Sequence, residues 1–222
     1  MSRTVLYQIA GVALIIGAVL VTAGNLLAPQ GNARAAIASW TYYPVALVVL
    51  IGGLFVMAGL PALYLRQRTE SGVLGFLGMV IVLASGMTLT VGWSTVQILV
   101  LPWMATTNIS NAAFDAGPLS WIVFFALASA IVSTGGVLFG IATMRGRVFS
   151  RQLGVGFIVL AAISFVLGFL SIPGGGGIRM SWWWGTTGTF GVIAYMVALG
   201  WSGVELLRNA DAATEAPSVA AE

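Results

Sequence analysis

Long apolar stretches without charge constrain this chain more than any other feature of its sequence. Six of them are close to the roughly 20 residues that a helix needs to cross a bilayer. Their residues do not alternate as in the roughly 10-residue strands of outer-membrane barrels. We therefore predict an all-α membrane protein, a polytopic bundle of six transmembrane helices. The predicted helices are 5–28, 44–65, 72–101, 119–144, 152–172 and 186–207.

Composition points to the same class of protein. Hydrophobic residues make up 59% of the chain and charged residues only 7%, whereas soluble domains carry about 25% charged residues. We assign 1–208 to a single six-helix transmembrane domain. The remaining segment, 209–222, reads "NADAATEAPSVAAE". Its small, polar and acidic residues predict a disordered cytoplasmic tail.

The first apolar run has a second interpretation as a secretory signal, because "ARA" at 33–35 offers a small-x-small cleavage site. Its apolar stretch from about 9 to 28 is longer than the roughly 7–15 residues of a signal core. Only Arg3 precedes it. We therefore favour a retained helix.

All nine basic residues are arginine. Cytoplasmic loops of membrane proteins are enriched in basic residues, and a six-helix arrangement puts most of these arginines on one side. We therefore predict that both termini and the loops at 66–71 and 145–151 are cytoplasmic. An arginine-only set is typical of a GC-rich bacterial genome, so we expect a multi-pass protein of the bacterial inner (plasma) membrane. The predicted cytoplasmic arginines are Arg3, Arg66, Arg68, Arg145, Arg147, Arg151 and Arg208, with Arg34 and Arg179 outside.

The chain has no Cys, His or Lys. It therefore lacks the thiolate and imidazole ligands of metal sites, the lysine of a Schiff base and the usual nucleophile-base pairs. None of the six acidic residues falls in the middle of a predicted helix, where ionisable groups mark proton pathways. We predict no catalytic residue, no metal site and no cofactor. An intramembrane enzyme is the weakest of the functions that we consider.

Small and mildly polar residues recur at helical spacing in the third, fourth and sixth predicted helices. One interpretation is helix packing, because small residues let helices approach closely in lipid. The other is that these faces line a cavity for a lipid-like or small apolar ligand, with a few groups orienting it. The candidate cavity-lining residues are Thr88, Thr95, Gln97, Ser129, Ser133 and Tyr195.

Two arginine-rich segments resemble each other. "RQRTESGVLG" at 66–75 and "RGRVFSRQLG" at 145–154 share Arg-x-Arg-x-x-Ser-x-x-Leu-Gly. In each, Ser71 or Ser150 is suited to cap the following helix. One interpretation is that the hairpin of predicted helices 2 and 3 and the hairpin of predicted helices 4 and 5 are parallel copies, as in some transporters. The other is that cytoplasmic turns simply resemble one another.

The arginines Arg145, Arg147 and Arg151 are expected to meet anionic lipid headgroups. The alternative is a phosphorylated substrate or a protein partner. We do not expect nucleic-acid binding, since the net charge of +3 mainly reflects topology.

The segment "SIPGGGGIRMSWWWG" at 171–185 joins four glycines to three tryptophans. It does not match a phosphate-binding loop, because Arg179 stands where the last glycine would be and transmembrane helices flank it. Tryptophans at headgroup depth anchor helices, and the loop would form an outer lid over any cavity. The anchor and lid residues are Gly174, Gly175, Gly176, Gly177, Arg179, Trp182, Trp183 and Trp184.

The stretch "GGVLFGIATMRGRVFSRQLGVGFIVLAAI" at 135–163, with "VLPWMA" and "AGPL", resembles a loose group of bacterial six-helix integral membrane proteins without an assigned function. That group has phenylalanine-proline-arginine after the fourth helix, where this chain has Ser150 between Phe149 and Arg151. The resemblance implies the same fold and carries over no functional residue.

We therefore predict a non-enzymatic integral membrane protein, an accessory bundle or one that binds a lipid or an apolar ligand. The alternative is a small permease or exporter for an uncharged or amphipathic solute, not proton-coupled through buried acids. Membrane lipids are the expected partners, together with a protein partner or a second copy of the chain.

Overall fold

The structure is a computed structural model that describes residues 3–29, 33–110, 119–170 and 182–215. Within these ranges every regular element is helical. Two π-helical turns, Thr88–Gly92 and Val96–Val100, join α3, α4 and α5 into one continuous helical path. The helices are α1 (Arg3–Leu26), α2 (Ala33–Ala38), α3 (Tyr42–Met87), α4 (Trp93–Thr95), α5 (Leu101–Ala105), α6 (Leu119–Gly146), α7 (Arg151–Leu170) and α8 (Trp182–Glu215).

Helix α3 folds back on itself. A straight helix of its 46 residues would be about 70 Å long, but Gly72 interrupts it with φ 55° and ψ −150°. Close to this turn the rings of Tyr64 and Phe76 lie 5.7 Å apart, and farther away the Met57 side chain lies against Gly86. The first arm, residues 42–71, and the second arm, residues 73–105, therefore form an antiparallel hairpin.

The long helices close into a ring in which neighbours run antiparallel. Each packs against the helices before and after it in the chain, and α8 packs against α1. The contacting positions show this antiparallel direction, because residue numbers that increase along one helix face residue numbers that decrease along the next. Examples are Gly24 with Val49 and Gly59 with Leu14 for α1 and the first arm, Gly78 with Phe139 for the second arm and α6, Gly140 with Gly154 for α6 and α7, and Gly203 with Gly11 for α8 and α1.

Several of these crossings depend on glycine. At Gly17, an added β-carbon would lie 2.6 Å from the Gly52 carbonyl oxygen and 2.7 Å from the Val56 nitrogen. These are backbone atoms that no rotamer change can move. Close approach of backbones through small residues is the usual means by which helices pack in lipid.

Large apolar side chains cover the outside of the ring. Val19, Leu127 and Val197 are 60%, 58% and 53% exposed, which water would disfavour and lipid would not. Among the residues that the structure describes, four helices are long and apolar enough to cross a membrane. They are Arg3–Leu26, Tyr42–Ala105, Ala126–Gly146 and Thr189–Arg208, and Arg151–Leu167 is a shorter apolar helix.

The two ends of the ring differ in charge. At one end the turn at Gly72 lies beside the α6–α7 turn, since Glu70 borders Gly146, and the Ser150 hydroxyl donates to Glu205 of α8 at 2.8 Å. The arginines from Arg3, the 66–68 segment, the 145–151 turn and Arg208 gather here, and we call it the arginine end. At the opposite end Arg34 donates to the carbonyl oxygens of Thr107 and Ile109 at 2.9 and 2.6 Å.

Within the described residues the prediction of an all-helical chain is confirmed, and several boundaries differ. The third predicted helix, 72–101, continues to Ala105, and the sixth, 186–207, begins at Trp182. The predicted loop at 66–71 is helical, because nothing in it breaks a helix before Gly72, which takes a left-handed backbone cheaply. Helix α8 extends to Glu215, so the first part of the predicted tail is helical, while 216–222 lie outside the described residues.

Candidate functional site

A cavity of about 320 Å³ lies inside the ring. Asn25, one residue before the end of α1, is among the residues that line it, so the cavity occupies the half of the ring away from the arginine end. We call it the central cavity. Its lining comprises Val21, Asn25, Val49, Gly53, Val56, Met57, Val82, Gly86, Leu89, Thr90, Trp93, Ser129, Val132, Ser164, Thr189, Gly191, Val192, Tyr195, Met196 and Leu199.

The lining is apolar apart from a few groups that can form hydrogen bonds, and no charged side chain is among the described residues that form it. This combination is typical of small-molecule sites, which measure about 300–1,000 Å³. A dry engineered cavity of about 150 Å³ already binds benzene. The central cavity therefore has room for an uncharged ligand larger than a single ring.

Tyr195 supplies the most deeply buried polar group of this lining. The side chain is 6% exposed, and its hydroxyl has no hydrogen-bond partner among the described residues. Ser133, one helical turn from the cavity-lining Ser129, is also buried, and its hydroxyl has no partner in the described part of the chain. The Tyr195 hydroxyl lies beside Gly136, which is not part of the lining. Since buried polar groups are almost always hydrogen-bonded, it would gain a partner by bonding an oxygen or nitrogen of a bound molecule once the tyrosine ring turns toward the cavity.

Toward the arginine end the cavity is closed by a layer of tightly packed side chains. Val56 and Leu199 belong to both the cavity wall and the buried core. Beyond them the interior is filled by side chains that are at most 2% exposed. This layer, the plug, consists of Leu14, Leu60, Leu63, Ser202 and Leu206.

The π-helical turns of the second arm shape one wall. Leu89 and Thr90 belong to the first turn, and Trp93 follows it. A β-carbon at Gly53 would overlap the Thr90 side chain, so the first arm leaves room for this residue. Such turns are common at functional sites, and they rotate later side chains off the α-helical stripe.

The predicted cavity-lining residues are distributed unevenly. Ser129 and Tyr195 line the central cavity. The exposed hydroxyls of Thr88 and Thr95 donate to the carbonyl oxygens of Ala84 and Val91 in their own helix, at 2.9 and 2.7 Å. Gln97 contributes its backbone oxygen, which accepts a 2.9 Å hydrogen bond from the Tyr42 hydroxyl, and neither Gln97 nor Ser133 is part of the lining.

The predicted headgroup-binding arginines lie together at the α6–α7 turn. Arg145, Arg147 and Arg151 are exposed, and Arg147 adopts φ 52° where the chain reverses. Ser150 caps α7, because its hydroxyl accepts a hydrogen bond from the Leu153 nitrogen at 3.2 Å. Ser71 does not cap the second arm, since it is buried inside α3 and its hydroxyl has no partner within the described ranges.

Gln67 is a buried polar residue that sequence reasoning missed. It is 0% exposed, and neither its amide oxygen nor its amide nitrogen has a hydrogen-bond partner among the described residues. The sequence does indicate a buried position for this residue, because Gln67 continues the three- and four-residue spacing of Val56, Leu60 and Leu63. Its place between Arg66 and Arg68 suggested a solvated turn.

Most of the predicted lid lies outside the described residues. This applies to Gly174, Gly175, Gly176, Gly177 and Arg179. Trp182, Trp183 and Trp184 form the first turn of α8, at the end of the ring away from the arginines.

Comparisons with protein-family models, with curated proteins and with solved structures find no match to this chain.

Proposed function

We propose that this chain is a non-enzymatic integral membrane protein that binds an uncharged apolar or amphipathic molecule in its central cavity. The observation that carries this proposal is the uncharged cavity of about 320 Å³, whose described wall includes the side chain of Tyr195 with its buried hydroxyl unpartnered among the described residues. An apolar body would fill the cavity, and a hydroxyl or carbonyl oxygen of the ligand would pair with Tyr195.

Six crossings of the bacterial inner membrane form part of the proposal. The fold-back at Gly72 supports counting the two arms of α3 separately, and the antiparallel contacts of α7 with α6 and α8 support counting α7. The gathering of arginines at one end supports a cytoplasmic location for that end and for both termini. The hairpin formed by the two arms of α3 and the hairpin formed by α6 and α7 both reverse at this end, as parallel copies would.

The exposed arginines Arg145, Arg147 and Arg151 would hold this end against anionic lipid headgroups. Each such residue near the cytoplasmic surface contributes about 1 kcal/mol of membrane attraction. In this proposal they orient the bundle and take no part in the cavity.

Photocrosslinking in proteoliposomes tests cavity binding, with a diazirine-bearing fatty alcohol as the uncharged amphipathic probe. We expect saturable adducts on residues such as Met57 and Met196, which line the cavity. Val132→Phe should fill the space and abolish them. The matched control Val197→Phe, on the 53% exposed outer face, should leave them unchanged.

Tyr195→Phe tests the polar anchor. Loss of one neutral hydrogen bond should weaken the probe's affinity roughly two- to tenfold, whereas Tyr43→Phe, at a side chain that is 45% exposed, should not. Adducts confined to the outer face, or cavity adducts that survive Val132→Phe, would contradict the proposal.

A further inference from the structure

We propose that the central cavity is one half of a translocation path, that Gln67 and Ser71 belong to the other half, and that the protein carries its ligand across the membrane. This inference rests on the proposed function, because the molecule carried is the uncharged amphipathic one that the cavity binds.

One face of the first arm connects the cavity to the arginine end. Val56 lines the cavity, Leu60 and Leu63 belong to the plug, and Gln67 and Ser71 follow. Residues three and four apart share a helix face. All five are at most 7% exposed, so this face looks into the ring along its whole length.

Helix α8 has a matching face. Val192, Tyr195 and Leu199 line the cavity, and Ser202 and Leu206 continue at the same spacing through the plug. The Ser202 hydroxyl donates to the Leu199 carbonyl oxygen at 2.6 Å, so it is satisfied within its own helix. The two faces define a common interior line from the cavity to the arginine end.

The polar groups beyond the plug are poorly suited to a permanently closed core. Gln67 is completely buried with both amide atoms unpartnered among the described residues, and the buried Ser71 hydroxyl is likewise unpartnered. A buried polar group without a partner costs free energy, and a leucine would fill the same position without that cost. The amide and the hydroxyl gain partners if this end opens to water or to the oxygen of a passing ligand.

The arrangement matches one state of a carrier, with its cavity on one side and its barrier on the other. Carriers of several folds alternate by rocking packed helices around a site near the midplane. Opening of the arginine end would separate the plug leucines and expose Gln67, while the opposite end closes over Tyr195. An uncharged substrate fits a path whose named interior residues carry no charge.

Single-cysteine labelling tests this inference, since the natural chain has no cysteine. Gln67→Cys and Ser202→Cys would be made separately and exposed in oriented proteoliposomes to a membrane-impermeant maleimide from each side. Leu153→Cys is the matched control, because Leu153 is also almost completely buried near the arginine end but belongs to α7, which contributes no residue to the plug. The fatty alcohol probe would be present in half of the samples.

We expect Gln67→Cys to react from the arginine side at least about tenfold faster than Leu153→Cys, because opening exposes Gln67 and not Leu153. Ser202→Cys, inside the plug, should react from both sides, and the probe should change both rates. Fraying of the helix ends would label Gln67→Cys alone and overturn the inference, as would labelling of Gln67→Cys at the control rate. Either result leaves cavity binding intact if the probe still crosslinks to Met57, so failure of transport is distinguishable from failure of the proposed function.

Discussion

Polar side chains inside this protein fall into two kinds. The buried hydroxyls of Ser85, Thr143 and Ser202 donate to carbonyl oxygens three or four residues earlier in their own helices, so they need no partner from another helix. The phenol of Tyr195 and the amide of Gln67 have no such local partner. Only the second kind asks for a partner from outside the helix, and these residues point to function.

This distinction explains which site residues the sequence could reveal. Ser129 and Tyr195, which helical spacing singled out, line the central cavity. The spacing could not separate them from Thr88 and Thr95, because the π-helical turns that change the register of the second arm leave no mark in residue spacing. Gln67 was missed because two flanking arginines outweighed its position in the spacing.

The unpartnered amide makes Gln67→Leu a stabilising substitution. Removal of an unsatisfied buried polar group should raise the free energy of unfolding by roughly 1–3 kcal/mol, measured by denaturation in mixed detergent micelles. Gln152→Leu, on an exposed residue of α7, is the control and should change stability by less than about 0.5 kcal/mol. A destabilised Gln67→Leu protein would show that the amide has a stabilising role in the closed state.

At the scale of helices, close contacts between neighbouring helices depend on glycines, which have no side chain. Gly17→Ala should destabilise the bundle by about 1–3 kcal/mol, since the new methyl meets backbone atoms of the first arm that cannot yield. Gly92→Ala provides the matched control, because a β-carbon there meets nothing within 4 Å. It should be neutral or stabilise by up to about 1 kcal/mol, the difference in helix propensity.

Both glycine variants would be compared by the same denaturation in micelles. Equal effects of Gly17→Ala and Gly92→Ala would argue that the crossing of α1 and the first arm is looser than described.

The sequence predicted helices better than it predicted turns. Runs of apolar residues locate membrane-length helices because burial in lipid needs an unbroken hydrogen-bonded backbone. The two arginine-rich turns share a pattern but reverse differently, one at Gly72 and the other around Arg147. Ser150 caps a helix and Ser71 does not, since the helix of the first arm runs on past Ser71 to Gly72.

On the scale of the whole molecule, the positive charge and the central cavity lie at opposite ends of the ring. The arginine end is packed and carries most of the positive charge, while the opposite half contains the central cavity. A molecule entering the cavity would therefore meet no fixed charge among the described lining residues. In the proposed function the arginines would set the orientation of the protein in the membrane, and with it the compartment from which the cavity is loaded.

This orientation can be measured with single cysteines at the two ends. The second arm lies between two exposed positions that can carry a cysteine. Thr69→Cys precedes it, shortly before Gly72, and Asn108→Cys follows it, after α5. In intact bacterial cells we expect an impermeant maleimide to label Asn108→Cys and to reach Thr69→Cys and Gln152→Cys only after permeabilisation, because the proposed topology puts the arginine end in the cytoplasm. Labelling of Thr69→Cys and Asn108→Cys from the same side would mean that the second arm does not cross the membrane. Labelling of Gln152→Cys in intact cells would place the α6–α7 turn outside and remove the basis for a cytoplasmic arginine end.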